Sequence, residues 1–138
     1  MAMTLSVKDP LRFDDLNAER AYDGMKAYFQ SKAANLYFTL ELAERWKGKV
    51  GAFAVDPGMV KTTLVAEAPL PLRIVFSILS VSPEKGAAVP LGALVSPEYD
   101  GKTGLLIGKK GPVPFPPGPD DADLRQKPWD ESARLVKL

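Results

Sequence analysis

Between residues 26 and 47 the chain contains neither Gly nor Pro, is rich in Ala, Leu, Glu, Lys and Gln, and stops immediately before Gly48. Good helix formers with a glycine at the exit predict one long helix. Its apolar residues, among them Ala27, Ala33, Leu36, Tyr37, Leu40, Ala43 and Trp46, lie on most sides of the axis, so burial is expected on several faces. Residues 50–55, Val-Gly-Ala-Phe-Ala-Val, follow as a short and almost unbroken apolar run. Such a run suits a parallel strand covered on both faces. Helix, tight turn and buried strand together give the rhythm of an α/β fold.

The rhythm repeats once downstream. Ser82 can cap and Pro83 can open a second helix running towards Leu94, with Pro90 expected to kink or shorten it. Residues 103–107 read as a second strand between glycines. Residues 108–119 are crowded with Pro and Gly and are expected to lack regular structure. A final short helix is placed from near Pro128 to Val136. At 138 residues, 46% hydrophobic and 25% charged, the chain has the composition of one globular domain. The order of elements, long helix, strand, helix, strand and C-terminal helix, predicts a single partial domain over 1–138. Residues 1–25 form its loop-rich start, and 108–127 a Pro/Gly-rich tether.

Two absences restrict the chemistry. Without Cys there is no disulfide, thiolate nucleophile or thiolate metal ligand, which fits a reducing compartment. Without His there is no Ser-His-Asp hydrolase, His metal site or imidazole shuttle. No metal site is expected, and acid/base work at neutral pH falls to carboxylates, Lys or Tyr. Eighteen basic against seventeen acidic residues leave a net charge of +1, so nucleic acid is not an expected partner. No stretch reaches the ~20 consecutive apolar residues of a membrane-spanning helix. Residues 1–7 lack the basic leader of a secretory signal, so a cytoplasmic location is expected. Residues 70–81 are apolar enough to consider at a membrane surface, but a substrate lid or core helix is the preferred reading.

Tyr28 and Lys32 are four apart within the long helix and share a face, which Asn35 continues. A free Tyr, with a pKa of about 10, is a poor base at neutral pH. A neighbouring ammonium favours the phenolate, making such a pair the most economical acid/base unit in a chain without His. On the spacing alone, simple packing is the preferred reading. The strand over 50–55, however, runs straight into Asp56-Pro57-Gly58-Met59-Val60-Lys61-Thr62, and in open α/β sheets ligands sit beyond the carboxyl ends of strands. Gly101-Lys102-Thr103 ends like a phosphate-binding loop, but Ser96 stands where the first Gly belongs and a strand follows, so it reads as a turn. Trp129 reads as a packing anchor.

The succession Tyr28-Phe29-Gln30-Ser31-Lys32-Ala33-Ala34-Asn35, then Glu41-Leu42-Ala43, then Pro57-Gly58-Met59-Val60-Lys61-Thr62, resembles short-chain dehydrogenases/reductases. Phe13-Asp14-Asp15-Leu16-Asn17, Pro83-Glu84-Lys85-Gly86-Ala87 and Trp129-Asp130-Glu131-Ser132 are similar to the retinol-dehydrogenase-like branch. The likeness covers essentially the whole chain and implies an α/β fold, the C-terminal half of an incomplete doubly wound Rossmann-type sheet. It implies an oxidoreductase using NAD or NADP to interconvert a small-molecule alcohol and carbonyl. Tyr28 would be the general acid/base, and Lys32 would tune it and bind the nicotinamide ribose. Pro57, Gly58, Val60 and Thr62 would form the loop against the nicotinamide. Residues 64–80 would match the variable substrate lid.

The departures shape the expectation further. The family's Gly-rich pyrophosphate turn has no counterpart in this sequence, so weak or absent cofactor binding is expected of the chain alone. The family's catalytic Ser precedes this region, and Ser6 is not assigned that role. Asp56 replaces the family's usual His or Asn. A fragment of an oxidoreductase is therefore one reading. The alternative is a non-catalytic interaction module, pairing with another copy or a complementary chain through the long helix and the sheet edge.

Overall fold

The computed structural model describes residues 11–61, 70–116 and 121–137. The long helix, α1, spans Gly24–Arg45. It begins ahead of Lys26 because Asp23 caps it, its carboxylate accepting from the Met25 and Lys26 N–H groups at 3.0 Å each. Residues 11–23 ahead of it contain turns without a helix or strand. They are organised by buried Asp15, which accepts from the Glu19 N–H at 2.8 Å and the Arg20 N–H at 3.3 Å and pairs with Arg12 at 3.5 Å.

After α1, strand β1 (Phe53–Val55) pairs in parallel with β2 (Leu105–Gly108), setting Phe53 opposite Leu105 and Val55 opposite Ile107. Its residues are half-buried to exposed, so β1 is less enclosed than its apolar run suggests. Between the two strands lie α2 (Leu70–Leu79) and α3 (Pro83–Val95). Ser82 caps α3 and Pro83 opens it, as the sequence implies. Pro90 does not shorten the helix, which continues through it to Val95, with Gly86 and Ala93 buried. The 70–81 segment does form a helix, but Leu70, Ile74, Ile78 and Leu79 are all exposed, which corrects the core-helix reading. Among the described residues no helix is long and apolar enough to cross a membrane.

The stretch after Gly108 departs most from expectation. Strand β3 (Gly111–Val113) returns antiparallel on β2, with Ile107 opposite Pro112 and Gly108 opposite Gly111. Lys109 and Lys110 make the turn, and Gly111, at φ +109°, takes a conformation few side chains tolerate. Pro112 is accommodated because β3 is the outer strand. The tether over 108–127 is corrected again at its far end. Helix α4 spans Ala122–Val136, starting well before Pro128, because Asp121 accepts from the Asp123 N–H at 2.9 Å and the Leu124 N–H at 3.3 Å. Pro128 lies inside this helix and is buried. An internal Pro costs a helix about 3 kcal/mol. Docking against α1 offsets it: Trp129 stacks on Phe38 at 4.9 Å, meets Trp46 edge-on at 6.2 Å and lies under the Arg45 guanidinium at 4.8 Å.

The result is an α/β arrangement with a small mixed sheet, ordered β1-β2-β3. Among the described residues two apolar clusters hold it. Leu11, Ala33 and Tyr37, joined by Phe13 and Leu124, bind the N-terminal segment and α4 to α1. Ala93, Tyr99 and Ile107, joined by Phe53, Val89 and Leu105, bind α3 to the sheet.

Candidate active site

The α1 helix places Tyr28, Lys32 and Asn35 along one wall of a cavity of about 690 Å³. The opposite walls come from the end of β1 with Asp56 and Pro57, and from residues 113–116. That volume lies within the usual range of small-molecule sites, ~300–1,000 Å³. The Lys32 ammonium lies 5.5 Å from the centroid of the Tyr28 ring, within cation–π range, and Phe29 meets that ring edge-on at 5.8 Å. A single turn of helix therefore brings phenol and ammonium together, facing the strand end across open space.

The loop leaving β1 is built by backbone chemistry. The Asp56 N–H donates to the Ile107 carbonyl at 2.8 Å, carrying the parallel ladder one residue past β1. The Asp56 carboxylate accepts from the Gly58 N–H at 2.9 Å, closing a tight Asx-type turn around Pro57. Gly58 sits at φ +73°, and a Cβ there would fall 2.5 Å from Lys109 Cε, so the Lys109 side chain lies across the bare glycine. Val60 forms a parallel bridge with Val81, flanked by hydrogen bonds from the Val81 N–H to the Met59 carbonyl at 2.8 Å and from the Lys61 N–H to the Val81 carbonyl at 2.9 Å. Its side chain rests on α3, where a Cβ on Gly86 would approach Val60 Cγ2 to 2.6 Å.

Of the residues singled out by sequence, Tyr28, Lys32, Asn35, Asp56 and Pro57 thus share one cavity. Gly58 and Val60 shape the same loop from behind, under Lys109 and over Gly86, and do not line the cavity. Thr62 and Ser6 lie outside the described residues. Three contributors escape sequence reasoning: the Val-Pro-Phe-Pro wall at 113–116, Gly86 as the seat for Val60, and Lys109 above Gly58. The signal for the wall and for Lys109 is the Gly-Lys-Lys-Gly turn that directs β3, and with it 113–116, back along the sheet, while Gly86 shows in sequence only as part of the 83–87 motif.

Chemically, the cavity offers a phenol and an ammonium on one side and apolar surface from Phe53, Leu106, Val113 and Phe115 on the other. Such a site can exchange a proton with an oxygen of an otherwise apolar ligand. The same donors suit the ribose and ring of a nicotinamide, for which Pro57 supplies a flat wall. The sequence offers no Gly-rich turn for a pyrophosphate, so the fit is to the nicotinamide end alone.

No family model matches the chain. Individual relatives do. Retinol dehydrogenase 14 from Homo sapiens is 34% identical over 135 residues, covering 93% of this chain and 40% of its own length. Retinol dehydrogenase 13 from Homo sapiens is 35% identical over 137 residues, 91% of this chain and 41% of its own. Polyprenol dehydrogenase from Danio rerio is 31% identical over 135 residues, 93% of this chain and 42% of its own. The chain thus spans about two fifths of the length of the curated relatives it matches. With more than nine tenths of its residues aligned to such proteins, the chain belongs to the retinol-dehydrogenase-like branch of the short-chain dehydrogenase/reductase family, matching the C-terminal part of its members.

Proposed function

We propose that this chain carries the proton-transfer half of an NAD(P)-dependent oxidoreductase site, acting on an alcohol or carbonyl of isoprenoid character. The observation that carries the reading is the meeting of Tyr28, Lys32 and Pro57 on one cavity, with the Lys32 ammonium 5.5 Å from the phenol ring. Relatives named for retinol and polyprenol support an apolar alcohol as the substrate class. The apolar wall formed by Leu106, Val113 and Phe115 agrees with it.

In this reading the Tyr28 hydroxyl gives a proton to the substrate oxygen during reduction and takes one during oxidation. Lys32 holds positive charge over the Tyr28 ring and would offer donors to the ribose. Pro57 and the Asp56-capped turn would hold the nicotinamide ring, and residues 113–116 would limit water on the apolar side of the cavity. The nicotinamide, when bound, supplies or accepts the hydride. The Gly-rich strand turn of a complete doubly wound sheet would provide the pyrophosphate site, and β1 is the edge to which further parallel strands would add.

The test is titration of the chain with nicotinamide mononucleotide, which lacks the adenylate half, followed by NMR. Saturable shifts at Tyr28, Lys32 and Pro57, weakened by Tyr28→Phe with Lys32→Ala, are the expected result. Shifts scattered away from that cavity would remove the proposal. Joined to the nucleotide-binding part of a relative, the chain should turn over an isoprenoid alcohol, and Tyr28→Phe should lower kcat by about 10²–10⁴-fold.

One observation favours a second reading, a non-catalytic module: among the described residues β1 pairs only with β2, leaving its other edge to a strand from elsewhere. Sedimentation of the chain alone separates the two, since a stable assembly without nicotinamide binding supports the module.

A further inference from the structure

Among the described residues lining the candidate site, Lys32 and Asp56 alone carry formal charge, and they stand on opposite walls. Lys32 belongs to α1, its ammonium 5.5 Å from the centroid of the Tyr28 ring. Asp56 follows β1 and immediately precedes Pro57, the flat wall offered to a nicotinamide ring. The remaining lining residues are neutral, and most are apolar.

Both ends of Asp56 are tied to the fold. Its N–H donates to the Ile107 carbonyl at 2.8 Å, and its carboxylate accepts from the Gly58 N–H at 2.9 Å, across the Pro57 turn. A negative charge is thus built into the turn that presents Pro57. An Asn would close the same turn, because its amide oxygen can accept the same bond. Turn geometry therefore accounts for an acceptor at position 56 and leaves the charge without a structural reason. Lys109, which lies across Gly58, does not line the cavity.

Charge is also what separates the two redox forms of a nicotinamide: the oxidised ring is a pyridinium cation, and the reduced ring is neutral. Lys32 opposes the cation, and a carboxylate next to the wall that holds the ring favours it. We propose that Asp56 is a specificity-determining residue that biases the cavity towards the oxidised form of a nicotinamide nucleotide. The assignment rests on the oxidoreductase reading and adds a redox-state preference to it. Two unit charges about 6 Å apart alter an equilibrium about 3-fold in bulk water and about 100-fold at an effective dielectric of ~20. Asp56 is half-buried at an open cavity, so a bias of about 3–10-fold is expected. A tenfold bias lowers the potential of a bound two-electron couple by about 30 mV, which favours carbonyl reduction over alcohol oxidation at the site.

The full chain is titrated with nicotinamide mononucleotide and, separately, with its reduced form, and each Kd is read from NMR shifts at Tyr28, Lys32 and Pro57. Asp56→Asn should lower the affinity for the oxidised form relative to the reduced form by about 3–10-fold. A residue that only shaped the turn would change both affinities together and leave their ratio alone. Asp100→Asn, which removes an exposed carboxylate outside the cavity, should not change the ratio. An unchanged ratio in Asp56→Asn, or an equal fall in Asp100→Asn, overturns the assignment and leaves the nicotinamide reading standing. Absence of shifts in the cavity with either form overturns both. Should circular dichroism show Asp56→Asn to be misfolded, Asp56→Ser, whose hydroxyl can accept the same bond, replaces it under the same outcomes.

Discussion

Gly86 shows how much of the site rests on a residue that takes no part in chemistry. A Cβ there would meet Val60 Cγ2 at 2.6 Å and Cγ1 at 3.0 Å, atoms held close to the backbone of the loop. Gly86→Ala should therefore push loop 57–61 away from α3 and destabilise the chain by about 1–3 kcal/mol, the usual range for overpacking. Thermal melts check this, and Val60→Ala in the same chain should recover most of the loss. Tyr37 carries a different signature. Its phenol is pushed above its ordinary value of 10.0, first by burial and second by the nearby Asp121 carboxylate. The folded chain thus holds that proton more tightly than the unfolded chain. The contribution is complete below pH 10.0 and is lost as pH rises through the folded value. Tyr37→Phe should flatten the alkaline fall of stability in urea titrations above that pH, and an unchanged slope would dismiss the linkage. Tyr37 reads in the sequence as one more apolar position. Only the fold reveals Asp121 beside it, because the two belong to helices brought together by packing.

Among the elements, the α1–α4 pair is the clearest case of tertiary packing overriding local signals. Pro128 invites the reading of a helix start, and a Pro at a first turn is indeed favourable. The Asp121 cap and the Trp129 contacts with Phe38, Trp46 and Arg45 instead carry the helix through it. Trp129→Ala should cost about 2–3 kcal/mol, somewhat below the ~3–5 of a fully buried Trp, with fraying of α4 seen as faster amide exchange there. Asp23→Ala, removing both cap bonds of α1, should cost about 1 kcal/mol and loosen the turn that holds Tyr28. What was legible in the sequence were elements announced by their own residues: α1 by its unbroken run of helix formers, and α3 by Ser82-Pro83. The pairing of Tyr28 with Lys32 is legible for the same reason, since helix geometry alone dictates it. Strand β3 was not legible, because Pro112 and the surrounding glycines argue against a strand until an edge position is known. Nor was the outward turn of the α2 stripe, since periodicity fixes which residues share a face and not where that face points.

On the scale of the whole molecule, the two apolar clusters are small, and much apolar surface remains in contact with water, including Leu91, Leu94 and Val95 of α3 and Val55 of β1. Hydrogen exchange should accordingly be graded, slowest in the part of α1 around Ala33 to Tyr37 and fastest in α2, whose stripe is unburied. Equal protection in both helices would contradict that ordering. The family likeness was legible because it rests on short motifs whose residues are close in sequence. The cavity's remote wall at 113–116 was not, since it depends on a hairpin register.

The bridge between Val60 and Val81 acts as a clasp. Whatever lies between its two jaws can change in length or composition at little conformational cost, because closing a longer loop adds only about 0.6 kcal/mol per doubling. The phenol, the ammonium and the proline wall are all anchored outside the clasp. The stretch inside it can therefore be exchanged for another of different length while the walls on which Tyr28, Lys32 and Pro57 stand keep their positions.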